Sequence, residues 1–115
     1  MTFSSKEMAF DIVNWGEEMQ AEEIIVLDIG QVSIITDYFV IMHARNRVLT
    51  VALADFISDS VEEKYSQHIP HKEGHPEGDW MLLDFGSVVV HIFLEETRRF
   101  YDLERLWIDA PKVKA

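Results

Sequence analysis

One stretch of the sequence decides the fold, and it reads Trp80-Met81-Leu82-Leu83-Asp84-Phe85-Gly86-Ser87-Val88-Val89-Val90-His91-Ile92-Phe93. It consists of two apolar, β-rich runs on either side of Gly86-Ser87. Glycine at the first central position favours a two-residue type II′ turn. Such a turn fixes the register of a hairpin, in which Trp80 faces Phe93. The sequence therefore predicts two antiparallel strands joined at residues 86 and 87.

The hairpin has two different faces, because side chains alternate across a strand. One face is entirely apolar and is predicted to meet the core; it holds Met81, Leu83, Phe85, Val88, Val90 and Ile92. The other mixes large apolar groups with a carboxylate and an imidazole; it holds Trp80, Leu82, Asp84, Val89, His91 and Phe93. An unpaired carboxylate is costly to bury, whereas a sizeable exposed apolar patch usually marks an interaction site. We interpret this mixed face as a docking surface; the alternative is that the C-terminal helix or a loop covers it.

Length and composition bound the kind of protein. With 115 residues, the chain is long enough for one domain with its own core, and 48% apolar and 27% charged residues are ordinary for a globular fold. No apolar run reaches the roughly 18 residues that a membrane span needs, and the N-terminus lacks a basic-then-apolar signal pattern. We therefore expect no membrane association. The absence of cysteine excludes disulfides and thiolate metal sites, and it fits a reducing compartment.

The chain is strongly acidic. Its formal net charge is −11, and only ten residues are lysine or arginine. Affinity for nucleic acid rests mainly on lysine and arginine contacts to phosphate, so we expect little direct nucleic-acid binding. Charge complementarity favours a basic protein partner instead. The alternative is that the charge only maintains solubility.

Three helices are predicted around the hairpin. Ser4 and Glu7 have capping-box spacing and introduce the first helix. Asn46 is the predicted N-cap of a long helix that ends near Tyr65 and carries an apolar stripe at helical spacing. The third helix begins near Glu95. It is expected to bury a stripe made of Phe100, Leu103 and Trp107, and to hold the ion pairs Glu95–Arg99 and Arg98–Asp102 four residues apart.

The predicted strands complete an α-β-β-α-(β)-β-β-α order. Apolar, β-rich runs predict strands at residues 23–29 and 37–43, and an edge strand is expected near residues 67–69. This order predicts an α/β (α+β) fold, a single compact domain with a mixed sheet of about five strands and packed helices. We expect the domain to span residues 1–108, followed by a short tail at 109–115 that frays.

Signals for catalysis or metal binding are weak. Gly-rich phosphate loops and a nucleophile elbow are absent. His68, His71 and His75 lie in a Pro/Gly loop without a helix to align them, so a solvated loop is the favoured interpretation. Three carboxylates on or beside strands could converge on a divalent metal, namely Asp28, Asp37 and Asp84. We predict no catalytic, cofactor or metal site, and keep a metal-dependent nucleotidyltransferase-like enzyme as the alternative.

Four segments together resemble the ribosomal silencing factor family (RsfS, also called Iojap). They are residues 36–41 (Thr-Asp-Tyr-Phe-Val-Ile), 80–86, 89–93 and the closing run 95–107, which includes Arg-Arg-Phe-Tyr-Asp-Leu-Glu-Arg-Leu-Trp at 98–107. The resemblance implies a fold related to nucleotidyltransferases but without their catalytic apparatus. It also implies a non-enzymatic factor that binds the large ribosomal subunit through its protein number fourteen and blocks joining of the small subunit.

The resemblance further implies a homodimer when free and a cytoplasmic location in a bacterium, with an organellar matrix as the other possibility. Organelle relatives act in large-subunit assembly, so an assembly factor is a second hypothesis. The predicted partner-binding residues are Trp80, Leu82, Asp84, His91, Arg99, Tyr101 and Glu104. We expect the strand residues to make contact, whereas the helix residues either make contact or fix the helix against the sheet.

Two departures from the family pattern affect the expected affinity. The family has a small-residue turn after its second strand, where this chain has His43-Ala44-Arg45-Asn46-Arg47. The hairpin turn is usually Gly-Asp in the family and is Gly86-Ser87 here. Losing that carboxylate could weaken one charged contact by 0 to about 1 kcal/mol if it is exposed.

Overall fold

The elements of the fold follow the predicted order closely. A computed structural model describes residues 4–66, 71–74 and 78–113. Its helices are α1 (Ser5–Glu18), α2 (Arg47–Tyr65), α3 (Glu95–Tyr101) and α4 (Leu103–Leu106), and a 3-10 turn covers Ile29–Gln31. Its strands are β1 (Glu22–Asp28), β2 (Tyr38–Ala44), β3 (His71–Gly74), β4 (Trp80–Asp84) and β5 (Val88–Leu94).

The five strands form one mixed sheet in the order β1-β2-β5-β4-β3. Strands β2 and β5 are parallel, and the other neighbouring pairs are antiparallel. This arrangement confirms the predicted single α+β domain with a mixed sheet. Strand β3 pairs with β4 at one edge, whereas the edge strand predicted near residues 67–69 lies outside the described residues.

The predicted register of the hairpin is confirmed. Trp80 pairs with Phe93, Leu82 with His91, and the intervening pairs follow. The Phe85 amide donates to the Val88 carbonyl at 2.9 Å, and Gly86 takes a φ of +89°. A positive φ at the first central residue is what a type II′ turn requires and glycine permits. Turn chemistry therefore sets which residues of β5 lie opposite those of β4.

Helices α1 and α2 pack on what we call the first face of the sheet. Their N-caps are the predicted ones: the Ser4 hydroxyl accepts from the Glu7 amide, and the Asn46 side chain accepts from the Leu49 amide at 2.8 Å. All six residues of the apolar hairpin face are buried here, at 8% exposure or less. The core of the domain therefore lies between these helices and the first face, as the alternation in the hairpin predicts.

The third predicted helix is interrupted, which corrects two predictions. Asp102 adopts a left-handed conformation, with φ at 49°, and separates α3 from α4. Phe100 is 81% exposed, so its place in a buried stripe with Leu103 and Trp107 is wrong. The predicted Arg98–Asp102 pair is also wrong, because the break lets Arg98 reach Glu104 instead, at 2.9 Å. The Glu95–Arg99 pair is confirmed at 3.0 Å.

The tail is held along the edge of β1. The Asp28 amide donates to the Pro111 carbonyl at 2.8 Å, and the Val113 amide donates to the Val26 carbonyl at 2.9 Å. Ala110 of the tail is buried on the face of the sheet opposite α1 and α2, which we call the second face. The expectation that the tail frays is therefore wrong for residues 109–113, while the domain boundary after residue 108 stays a prediction. None of the described helices is long and apolar enough to cross a membrane.

Candidate partner-binding surface

The second face of the sheet, opposite α1 and α2, is covered over only part of its width. A second apolar cluster lies on this face at β1, β2 and the end of β5, and Leu103 and Trp107 of the C-terminal segment pack against it. The cluster consists of Leu27, Ile29, Phe39, Ile41, Phe93 and Ala110. Over β4 the side chains of Trp80, Leu82 and Asp84 are half-buried, and Tyr101 of α3 beside them is exposed. We call these four residues the open strip. The mixed face is thus covered at His91 and Phe93 of β5, whereas Val89 of β5 and the β4 residues of this face stay half-buried.

Trp80 is the fixed centre of the open strip. The centroid of its ring lies 4.8 Å from that of Phe93 and 4.8 Å from that of Tyr101. Its indole Nε1 donates to Nδ1 of His91 at 3.2 Å. The hairpin register creates the contacts with Phe93 and His91, because Phe93 lies opposite Trp80 and His91 lies opposite Leu82, the next residue of β4 on that face. A large aromatic side chain that is already fixed in one position is well suited to binding, since it loses little conformational entropy when a partner binds.

His91 lies beneath the strip and does not form part of its surface. It is 5% exposed, and its ring centroid is 4.7 Å from that of Phe39. Burial lowers the pKa of His91 to about 4, and the opposing effect of the Asp84 carboxylate is smaller. The ring is therefore neutral at pH 7. Since Nδ1 accepts from Trp80, the proton sits on Nε2, which has no hydrogen-bond partner among the described residues.

Asp84 gives the strip a carboxylate beside the hairpin turn. Its Oδ1 accepts from the Gly86 amide at 2.8 Å, so the side chain also stabilises the turn. Glu73 of the neighbouring strand β3 pairs with Leu82, and its exposed side chain lies on the same face of the sheet. Carboxylates therefore flank the apolar centre of the strip at this end.

The three predicted helix residues occupy different places. Tyr101 belongs to the open strip through its contact with Trp80. Glu104 accepts from the buried Arg98, and this contact ties α4 to α3 across the break at Asp102. Arg99 pairs with Glu95 and with Glu23 and lines a separate cleft, so the structure does not bring it to the strip.

Sequence reasoning missed the importance of Arg98. Its guanidinium is 3% exposed and lies 2.9 Å from the Glu104 carboxylate, 3.0 Å from Nδ1 of His43 and 3.5 Å from the Glu22 carbonyl. Arginine can satisfy several acceptors at once because its donors form a planar fork. Helical spacing predicts a local pair with Asp102, and the actual partners Glu22 and His43 are too far away in the sequence for that spacing to reveal them.

The three carboxylates considered for a catalytic metal do not meet at one site, although two of them, Asp28 and Asp37, line the same cleft. Asp28 lies two residues after the buried Val26 on β1 and is therefore on the first face, whereas Asp84 is on the second face. Asp37 precedes β2 and accepts from the Ser5 hydroxyl at 2.8 Å. The geometry therefore does not assemble the three-carboxylate site that the nucleotidyltransferase-like alternative considered.

One other cluster has the residue types of a metal site, namely Glu23, His43 and Glu95, whose ligand atoms lie within 4.8 Å of one another. The Arg99 guanidinium already contacts both carboxylates, at 3.2 and 3.0 Å. The Arg98 guanidinium lies 3.0 Å from Nδ1 of His43 and takes up the lone pair that a neutral imidazole offers a metal. This cluster is an internal ion-pair network. His68 and His75 of the other candidate metal set lie outside the described residues.

Comparison with known proteins places these features in a family. Residues 2–115 match the family model "Ribosomal silencing factor during starvation". A Bacillus subtilis protein named "Ribosomal silencing factor RsfS" is 40% identical over 95 residues, which cover 83% of this chain and 80% of that protein. A Mus musculus protein named "Mitochondrial assembly of ribosomal large subunit protein 1" is 33% identical over 103 residues, which cover 85% of this chain and 45% of the mouse protein.

A solved structure supports the same grouping. A protein of Chromobacterium violaceum whose crystal structure is known superposes with a TM-score of 0.86 at 28% sequence identity, over 91% of this chain and 87% of that chain. The two chains therefore share their fold over nearly their full length. The chain belongs to the ribosomal silencing factor family, as the sequence resemblance predicted.

Proposed function

We propose that this chain binds the large ribosomal subunit through the subunit's protein number fourteen and blocks joining of the small subunit, so that translation is repressed. The observation that carries the proposal is the open strip, an accessible aromatic and acidic surface on the second face of the sheet in a chain of this family. Because its relatives include bacterial silencing factors, we place the activity in the cytoplasm of a bacterium.

The strip has the composition of an interface centre. Tryptophan and tyrosine are enriched among residues whose truncation costs about 2 kcal/mol or more in protein interfaces. Trp80 and Tyr101 are such residues, and Leu82 extends the apolar area between Trp80 and the turn. In this proposal Trp80, Leu82, Asp84 and Tyr101 touch the partner. His91 holds Trp80 from below, and Glu104 holds α4 in place.

Charge supports a basic partner. The chain carries a net charge of −11, and carboxylates of Glu73 and Asp84 flank the strip. Opposite charges steer two surfaces together and raise the rate of association, and salt screens that effect over about 10 Å at 0.1 M. Affinity for a ribosomal protein that displays lysine and arginine is therefore expected to fall as salt rises.

The size of the molecule explains how binding obstructs joining. Its principal extents are 36 × 33 × 24 Å, so every orientation places at least 24 Å of protein on the surface that it covers. Helices α1 and α2 project from the face opposite the strip and point away from the bound partner. Two ribosomal surfaces that must meet cannot close over a folded domain of this thickness, so obstruction requires no catalysis.

Co-sedimentation with isolated bacterial large subunits tests the contact. The wild type should pellet near one copy per subunit at low salt and less at moderate salt. Trp80→Ala should stay in the supernatant, with a loss of roughly thirtyfold in affinity for about 2 kcal/mol. Val48→Ala removes an 81% exposed apolar side chain from α2, outside the strip, and is the matched control that should still pellet. A wild type that fails to pellet at either salt contradicts the proposal.

The free protein is proposed to form a homodimer through the same open strip, since one exposed apolar surface then serves both contacts. Dimer and large subunit should compete. In analytical ultracentrifugation, Trp80→Ala should therefore sediment as a monomer at concentrations where the wild type is dimeric. A dimer covalently crosslinked in its native arrangement that bound large subunits as well as the monomer does would contradict shared use of the strip.

A role in assembly of the large subunit is the second candidate, favoured by the name of the mouse relative. The same contact would then form earlier, on an immature particle. Depletion of the protein in its host separates the two roles. Silencing predicts normal large subunits and more joined ribosomes during starvation, whereas assembly predicts accumulated large-subunit precursors in growing cells.

A further inference from the structure

The open strip continues onto α3 as an aromatic ridge. Tyr101 packs on Trp80, and Phe100 meets Tyr101 edge-on, with ring centroids 5.1 Å apart and planes at 88°. Phe100 is 81% exposed, which is unusual for a phenylalanine that no partner covers. The ridge is therefore a continuation of the surface that the proposed function assigns to the ribosomal partner.

A cleft of about 380 Å³ lies beside this ridge; its lining consists of Asp79, Glu96, Thr97, Phe100 and Tyr101. Both of its charged side chains are carboxylates. Asp79 is paired with Arg47 at 2.7 Å, whereas Glu96 has no hydrogen-bond or ion-pair partner among the described residues. Glu96 lies one helical turn before Phe100, so its carboxylate and the Phe100 ring face the same side of α3.

These features select a cation. An ammonium or guanidinium group is attracted to the face of an aromatic ring and forms a strong hydrogen bond with a carboxylate, and this cleft offers both. A phosphate would be repelled by the two carboxylates. A purely apolar side chain would remove water from Glu96 without replacing its hydrogen bonds.

We propose that the cleft receives a lysine or arginine side chain of the ribosomal-protein partner, held between the Phe100 ring and the Glu96 carboxylate. This inference rests on the proposed function and adds a subsite to it. Trp80 and Leu82 supply the apolar centre of the contact, and the cleft beside α3 supplies a charged subsite at its edge. Phe100 is exposed in the free protein because its partner is a cation from another molecule.

The subsite is tested by substitutions that remove the Phe100 ring or the Glu96 charge separately. The affinity of each variant for isolated bacterial large subunits is measured by titration. Phe100→Leu keeps an apolar side chain but removes the ring, and should weaken binding about threefold; Glu96→Gln should weaken it about two- to fivefold and flatten its dependence on salt. The double variant should lose about tenfold. Phe100→Trp should bind as tightly as the wild type or more tightly, since tryptophan has the strongest attraction for cations.

Two controls match these changes. Val48→Ala alters an exposed apolar side chain of α2, and Glu63→Gln removes an exposed carboxylate from the same helix; both should bind like the wild type. Thermal unfolding should be nearly unchanged for every variant, because Phe100 and Glu96 are exposed. If the wild type binds but the double variant binds equally well, or if Phe100→Leu binds like the wild type, the subsite is overturned while the proposed function stands. If the wild type itself does not bind, both are overturned.

Discussion

At the scale of single residues, the Trp80–His91 contact connects the buried sheet to the exposed strip. The indole is anchored by a neutral imidazole that is almost fully buried, and burial lowers the pKa of that imidazole to about 4. The folded state therefore resists protonation at His91, whereas the unfolded chain has an ordinary histidine pKa of about 6.5. The unfolded state binds more protons between these two values, so His91 makes stability fall as the pH falls from about 6.5 towards 4.

We predict that His91→Gln removes this pH dependence while leaving an acceptor for Trp80. The free energy of unfolding of the wild type should drop relative to the variant by about 1.4 kcal/mol per pH unit below pH 6.5, and by about 3 kcal/mol in all. Urea unfolding of both proteins from pH 7 to pH 4 measures the difference, in which the shared carboxylates cancel. A difference that stays constant over this range would show that His91 titrates normally in the folded protein.

The residues of the strip were predictable, but their burial was not. Alternation along β4 places Trp80, Leu82 and Asp84 on one face, and the Gly86-Ser87 turn sets the register that puts Phe93 and His91 opposite Trp80 and Leu82. Burial of His91 depends on Phe39 from another strand and on the helical segment that covers β5. Such contacts join residues far apart in sequence, which alternation along a strand cannot reveal.

At the scale of elements, the C-terminal segment is locked to the sheet by one buried arginine. Arg98 joins α3 to Glu104 of α4 and to His43 of β2, so three elements meet at one guanidinium. Helical periodicity predicts a continuous helix here, and Phe100 in its buried stripe. Instead, the left-handed conformation of Asp102 redirects the chain. As a result, Leu103 and Trp107 pack against the apolar cluster on the second face. Tertiary packing outweighs local helix preference in this segment.

We predict that Arg98→Met destabilises the protein by about 2 to 3 kcal/mol, because it leaves His43 and Glu104 without their donor. Arg99→Met is the matched control. It removes an exposed guanidinium whose surface ion pairs are screened by water, and it should leave the free energy of unfolding nearly unchanged. Urea unfolding gives both values, and amide hydrogen exchange at residues 103–107 should accelerate only in Arg98→Met. Equal effects of the two substitutions would show that Arg98 does not hold α4.

At the scale of the whole molecule, an acidic domain carries the open strip on one face of its sheet and helices α1 and α2 on the other. Composition and element order predict the mixed α+β domain, and the family resemblance predicts the class of partner. The parallel pairing of β2 with β5 lies beyond such reasoning, because α2, β3 and β4 come between these two strands in the sequence. That pairing places β5 in the middle of the sheet, which leaves β4 near an edge and keeps the strip accessible.

The most direct test of the central claim is a subunit-joining experiment followed by light scattering. Large subunits are incubated with the protein, small subunits are added, and the amount of joined ribosomes is recorded as the protein concentration rises. The account predicts that joining falls until about one copy is bound per large subunit, and that Trp80→Ala at the same concentrations leaves joining intact while Val48→Ala blocks it like the wild type. Undiminished joining by large subunits already saturated with wild-type protein would contradict it.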